Sequence, residues 1–234
     1  MQIITVVFSH KSPLPENGVH KVFVFCRGPG EAHGPRLGSS GLKISKVIVG
    51  CMSYGSPEWQ GWVLNEEQSL PLLEHAFKVG LNTWDTANVY SNGVSERIIG
   101  KAIKQYKIPR EKLVLLSKCY FGVKEDGQPR ISELSTNDGA LVNQVGLSRK
   151  SILDAVDKSI ERLGTYIDVL QIHRLDRDTP MEEIMKALND VIESGKVRYI
   201  GASSMAAWEF QMMQNIAEKY GWYDVSTPRL VRLC

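Results

Sequence analysis

Six side chains in this 234-residue sequence have the chemistry to act on one another, although the chain separates them widely. Asp85 follows the run Leu81-Asn82-Thr83-Trp84, and Lys118 follows Val114-Leu115-Leu116-Ser117. His173 follows Leu170-Gln171-Ile172, while Ser203 and Ser204 follow Tyr199-Ile200-Gly201-Ala202. Tyr90 lies in the stretch just beyond Asp85. Together they offer a carboxylate, an amine, an imidazole, a phenol and two hydroxyls. The chemistry this suggests is proton delivery to a substrate oxygen. A free phenol titrates near about 10 and exchanges its proton poorly at neutral pH. A neighbouring ammonium favours the phenolate, and a carboxylate keeps that ammonium charged and in place. Asp85, Lys118 and Tyr90 suit such a chain, with His173 placed to orient the same oxygen.

Each residue taken singly also has an ordinary reading. Asp85 with Lys118 can be a buried ion pair, His173 a structural histidine and Tyr90 a packing aromatic with a wet hydroxyl. The serine pair can cap the helix expected from Ala206, with or without binding a ligand. What favours the chemical reading is four different groups at the ends of three successive apolar runs.

Those runs belong to a regular alternation. Apolar stretches at 46–51, 81–86, 113–118, 168–173 and 197–203 alternate with stretches of helical period at 65–79, 95–106, 148–163, 180–194 and 206–220. Strand then helix, five times, predicts a parallel sheet with helices packed outside it. The runs are apolar almost throughout, as in Val169-Leu170-Gln171-Ile172, which fits strands covered on both faces. Helix ends are marked. Ser148 opens one helix and Gly164 closes it; Gly80 and Gly195 stop two others. Thr179-Pro180-Met181-Glu182 places a hydroxyl cap, a proline at the first helical position and a capping-box glutamate in register. In an eight-unit barrel of this kind, reactive groups sit where strands end, which is where the six residues fall.

Composition bounds the class. Hydrophobic residues make up 43% and charged residues 23%, an ordinary globular mix. The net charge of +2 gives no field for nucleic acid. No stretch approaches membrane-spanning length, and the apolar start at 3–8 is too short for a secretion signal. Cys26, Cys51, Cys119 and Cys234 show no framework spacing and suit free thiols in a reducing, cytoplasmic setting. The five histidines form no metal-ligand spacing.

Here the motifs meet a known family. Gly80-Leu81-Asn82-Thr83-Trp84-Asp85-Thr86-Ala87-Asn88-Val89-Tyr90, with Ser95-Glu96 after it, resembles the aldo-keto reductase signature. Leu116-Ser117-Lys118 is similar to the family's lysine strand, and 168–173 to its histidine strand. Residues 195–204 resemble the segment entering the nicotinamide site, and 36–45 the hairpin that plugs the barrel's lower end. Gly50-Cys51-Met52-Ser53-Tyr54-Gly55 is similar to the aryl-alcohol dehydrogenase-like branch. The resemblance implies a (β/α)8 TIM barrel and a catalytic tetrad of Asp85, Tyr90, Lys118 and His173. It also implies NADP(H) as cofactor, with Asp85, Ser203 and Ser204 at the cofactor, and reduction of a small aldehyde or ketone by hydride transfer. Ser204 stands where the family often has asparagine.

The resemblance runs from Arg36 to about Trp222. It predicts a weakly ordered extension over 1–35, an incomplete barrel of about five units over 36–222 and a divergent tail over 223–234, with a fragment of a sixth strand near Asp224-Val225-Ser226. A whole barrel needs about 250 residues. The segments that would stack on the nicotinamide and grip its phosphates are not assignable. An exposed sheet edge at 197–203, weak stability, self-association and poor NADPH affinity are therefore expected. A non-catalytic or regulatory binding protein on the same fold is the second reading. Two decoys point to another dehydrogenase type: Tyr120-Phe121-Gly122-Val123-Lys124 and the glycine-rich 28–34. The first sits in a glycine-bearing loop and the second contains a proline with no helix after it, so neither has the needed context. Trp59 and Trp62 are equally candidates for pocket lining and for rim packing. The stretch 122–147 reads as a plain surface loop before it reads as a flap.

Overall fold

The computed structural model describes residues 4–6, 34–38, 40–124, 126–127 and 129–225. Six strands lie side by side in sequence order: β1 (Ile4–Val6), β2 (Val47–Gly50), β3 (Thr83–Asp85), β4 (Val114–Cys119), β5 (Ile167–Ile172) and β6 (Val197–Ala202). Every pairing is parallel. Helices α1 (Glu66–Lys78), α2 (Val94–Gln105), α3 (Arg149–Leu163), α4 (Met181–Glu193) and α5 (Ala207–Tyr220) follow β2 to β6 in turn, and each helix packs on the next. These are five successive strand–helix units of the (β/α)8 plan. A parallel bridge between Ile200 and Val225 sits where a further strand would begin. No helix among the described residues is long and apolar enough to cross a membrane.

The two-residue period of a strand sorts the side chains. Trp84, Leu115, Leu170 and Ile172 point to the helical layer and join its core with Leu73, Ile98, Ile152 and Leu188. Ile48, Val114, Leu116 and Val169 point to the other face. There the segment 36–45 turns back on itself through an Arg36–Lys43 antiparallel bridge, and it buries Leu37 and Ile44 against those four residues. This is the plugging hairpin expected from the motif. Further along, the same face carries Asp85 at the end of β3, Lys118 two residues after Leu116, Gln171 two after Val169, and His173 just past β5. One face is thus apolar at the hairpin end and polar at the other.

Helix ends follow the expected signals closely. Asn65 caps α1 with a reciprocal Gln68 bond, Ser148 caps α3, and Gly164 ends α3 with φ of 68°. The α4 start differs. Pro180 occupies the cap position, and the Thr179 hydroxyl donates to Asp176 Oδ2 at 2.7 Å instead of capping the helix. A serine cap on α5 is also overturned. Ala206 is the cap residue, its N–H donates to Glu209 Oε2, and Ser203 and Ser204 pair with each other at 3.2 Å.

In the N-terminal extension, Ile4–Val6 pairs with β2, Ile4 opposite Val47. The apolar run 22–26, the glycine-rich stretch up to His33, the tail after Val225, and with them Cys26 and Cys234, lie outside the described residues.

Candidate active site

Asp85 ends the three-residue strand β3 and Lys118 is the fifth of six residues in β4, so parallel pairing sets them at the same end of the sheet. Lys118 Nζ donates to Asp85 Oδ2 at 2.7 Å, to the Thr86 carbonyl at 2.8 Å and to Tyr90 Oη at 3.3 Å. An ammonium has three protons. All three are used. Burial alone would discharge this amine, but the Asp85 carboxylate and the Tyr90 oxygen overcome that and hold it well above the ordinary lysine range.

Tyr90 reaches this ammonium because its loop is tied down. Thr86 and Asn88 donate backbone N–H groups to the carbonyls of Leu116 and Lys118, extending the strand pairing past β3. The Asn88 amide also donates to the Phe121 carbonyl at 3.0 Å. After Tyr90 the backbone turns through three left-handed residues, Ser91, Asn92 and Gly93, with φ of 47°, 50° and 88°. Two of these are not glycine, so the turn is strained and needs outside support. Ser91 Oγ accepts from the Ser56 N–H at 3.1 Å. Asn92 donates to the Pro129 carbonyl and accepts from the Lys124 N–H. At Gly93 a Cβ would lie 2.6 Å from Arg162 Cδ, so glycine is required there twice over.

Behind the turn, Glu96 of α2 and Arg162 of α3 form an ion pair at 2.7 Å, 0% and 2% exposed respectively. Ser117, next to Lys118, donates to the other Glu96 oxygen at 2.6 Å. This pair fixes α2, and with it the Tyr90 turn, against β4.

His173 follows β5 directly, its N–H bonded to the Cys119 carbonyl. Its ring meets Tyr90 edge-on at 5.8 Å and Phe121 at 5.2 Å. Burial, then the Lys118 and Arg174 charges, push its pKa down to about 3, so the imidazole is neutral at physiological pH. Its Nδ1 is buried with no hydrogen-bond partner among the described residues. Cys51 and Cys119 flank the group, but burial raises both thiols, Cys119 to about 12, so neither is a nucleophile near neutrality.

The structure therefore brings together Asp85, Lys118, Tyr90 and His173. Ser203 and Ser204 stand one strand further on, at the same end of the sheet, Ser203 half-buried and Ser204 exposed, with Ser204 at φ 52°. Trp59 is buried 6.4 Å from the Tyr90 ring, and Trp62 packs edge-on against it. The stretch 122–147 is more than surface chain: Leu134, Leu141 and Val145 are buried in one apolar cluster with Trp59 and Tyr90. Two residues escaped the sequence. Phe121 was grouped with a decoy, yet its ring meets His173. Gln171 was grouped with apolar strand residues, yet its amide donates to Asp85 Oδ1 at 2.9 Å. The signal for Gln171 was parity: a polar residue two before His173 faces the same way.

Comparison with known proteins gives the family. The aldo/keto reductase family model matches residues 46–228. The chain is 70% identical over 191 residues to a versiconal hemiacetal acetate reductase of Aspergillus parasiticus, covering 80% of this chain and 55% of that protein. It is 55% identical over 195 residues to an aryl-alcohol dehydrogenase-like protein of Schizosaccharomyces pombe, covering 80% and 56%. It is 53% identical over 193 residues to an aldo-keto reductase of Metarhizium robertsii, covering 79% and 52%. The chain thus spans about half the length of the curated relatives it matches. Residues 46–228 include all six site residues and all five strand–helix units, and on that match the chain belongs to the aldo/keto reductase family.

Proposed function

We propose that the chain carries the acid–base centre of an NADP(H)-dependent reductase acting on small aldehydes or ketones. The observation that carries this is the Lys118 ammonium, held by Asp85 and Thr86 with its remaining proton on the Tyr90 oxygen. Tyr90 is then the general acid that gives its proton to the substrate oxygen. Lys118 stabilises the phenolate left behind, Asp85 keeps Lys118 charged, and neutral His173 orients the carbonyl. The unpartnered Nδ1 of His173 is consistent with a site built to receive one more polar group.

The residues present fit the nicotinamide end of the cofactor. Ser203 and Ser204 bond to each other instead of capping α5, so their hydroxyls are left to take a carboxamide. A reduced nicotinamide held there supplies the hydride. Trp59 beside Tyr90, with Trp62 behind it, and Phe121 beside His173 supply flat apolar surface, which favours a planar or aromatic carbonyl compound. The aryl-alcohol in the name of the Schizosaccharomyces relative supports the same substrate class.

NADPH consumption with aromatic aldehydes tests this in wild type and Tyr90→Phe. Loss of the proton donor lowers kcat by about 10² to 10⁴. Equal rates in the two proteins would remove the acid role and leave a binding protein on a reductase scaffold.

A further inference from the structure

We infer that Gln171 is a positioning residue of this proton chain, which it serves by clamping the Asp85 carboxylate from β5. The inference rests on the proton-delivery reading above and extends it to a second strand. A carboxylate rotates easily about its last torsion, so one bond from Lys118 leaves its plane undefined. The two Asp85 oxygens are instead divided: Oδ2 takes Lys118 at 2.7 Å, and Oδ1 takes the Gln171 amide at 2.9 Å. Parallel pairing sets Lys118 opposite Gln171, so both donors reach Asp85 from one rung of two adjacent strands.

The position makes the amide conspicuous. Gln171 is 2% exposed, within a strand whose other inner residue, Val169, is apolar. An aliphatic side chain fills such a place with no polar group to satisfy, whereas a buried amide is tolerated only when hydrogen-bonded. Here the bond goes to the carboxylate that anchors the proton chain. The amide also lies two residues from His173 on one strand face, so the clamp fixes Tyr90 and His173 relative to each other. Without it, Asp85 turns, Lys118 loses its fixed acceptor, and the ammonium no longer sits squarely on the phenol.

The test uses the purified full chain carrying Gln171→Leu or Gln171→Glu, each with and without Tyr90→Phe, with circular dichroism checking the fold. Tyrosinate absorbance, taken as the difference between each pair, reports the ionisation of Tyr90 alone and needs no turnover. Gln171→Leu is expected to move that ionisation to higher pH and to lower kcat about tenfold with KM for the aldehyde nearly unchanged. Gln171→Glu is expected to keep wild-type kcat in acid, where the introduced carboxyl keeps a proton to donate to Asp85. As pH rises and two carboxylates face each other, its kcat falls and Tyr90 ionises at higher pH than in wild type. A side chain that merely fills space would give no such pH-dependent rescue. Wild-type tyrosinate titration in Gln171→Leu, or no acid recovery in Gln171→Glu, overturns the inference. Full turnover in Tyr90→Phe overturns the proton-delivery reading instead, and the titration still decides the role of Gln171.

Discussion

The middle of the sheet and its β6–α5 flank are built from the same strand–helix unit, yet they differ in how far their polar groups are paired. Across β3, β4 and β5, Lys118 and Gln171 both donate to the Asp85 carboxylate, and Glu96, Arg162 and Ser117 brace the group from behind. At the flank, Ser203 and Ser204 have each other, and β6 meets a further described strand residue only through Ile200 and Val225. On α5, Trp208 is 61% exposed and Met212 46%. The polar groups assigned to the proposed proton chain are thus held by three consecutive units that support one another. The groups suited to a cofactor lie where the surrounding structure is thinnest.

The sharpest way to break this contrast is to remove the brace. Arg162→Met leaves the Glu96 carboxylate buried without its cation, which costs about 3 to 5 kcal/mol. Chemical denaturation should show that loss. Adding Glu96→Leu should restore most of it, because the double variant buries no charge. If Arg162→Met is as stable as wild type, the pair is a bystander and the middle of the sheet is no better supported than the flank.

His173 gives a second, smaller test through pH. Its folded pKa is depressed to about 3, while the unfolded chain protonates near about 6.5. Above that value the imidazole is neutral in both states and contributes no pH dependence. As pH falls from there toward 3 only the unfolded state gains the proton, so stability is lost progressively. By pH 5 the loss is about 2 kcal/mol. His173→Asn should flatten this part of the stability curve, and an unchanged acid slope would mean that the ring is already charged or solvated.

Much of this arrangement was legible from the chain. Period and punctuation put all five strand–helix units within a residue or two of their observed ends, and the ends of the apolar runs gave Asp85, Lys118 and His173. What escaped has physical reasons. Leu134, Leu141 and Val145 fall without period in a polar, glycine-bearing stretch, so no pattern announces that they join the apolar cluster of Tyr90. Thr179 has the right type and spacing for a cap, but a hydroxyl takes the stronger acceptor, and the Asp176 carboxylate is within reach. Gln171 sits in an apolar strand, and its partner is two strands away. Nothing local marks the pair.

The flank supplies the smallest effect and the cleanest control. Trp208 and Met212 are four residues apart on one side of α5, while Met213 and Ala217 hold its other side in the core. Side chains already in water lose little when replaced, so Trp208→Lys with Met212→Lys should change unfolding free energy by no more than about 0.5 kcal/mol. Tyrosinate titration of Tyr90 should not move, because no polar contact among the described residues links α5 to Lys118. A melting temperature several degrees lower would show that these two side chains are covered in solution, and the contrast between a braced centre and an open flank would then be wrong at the flank.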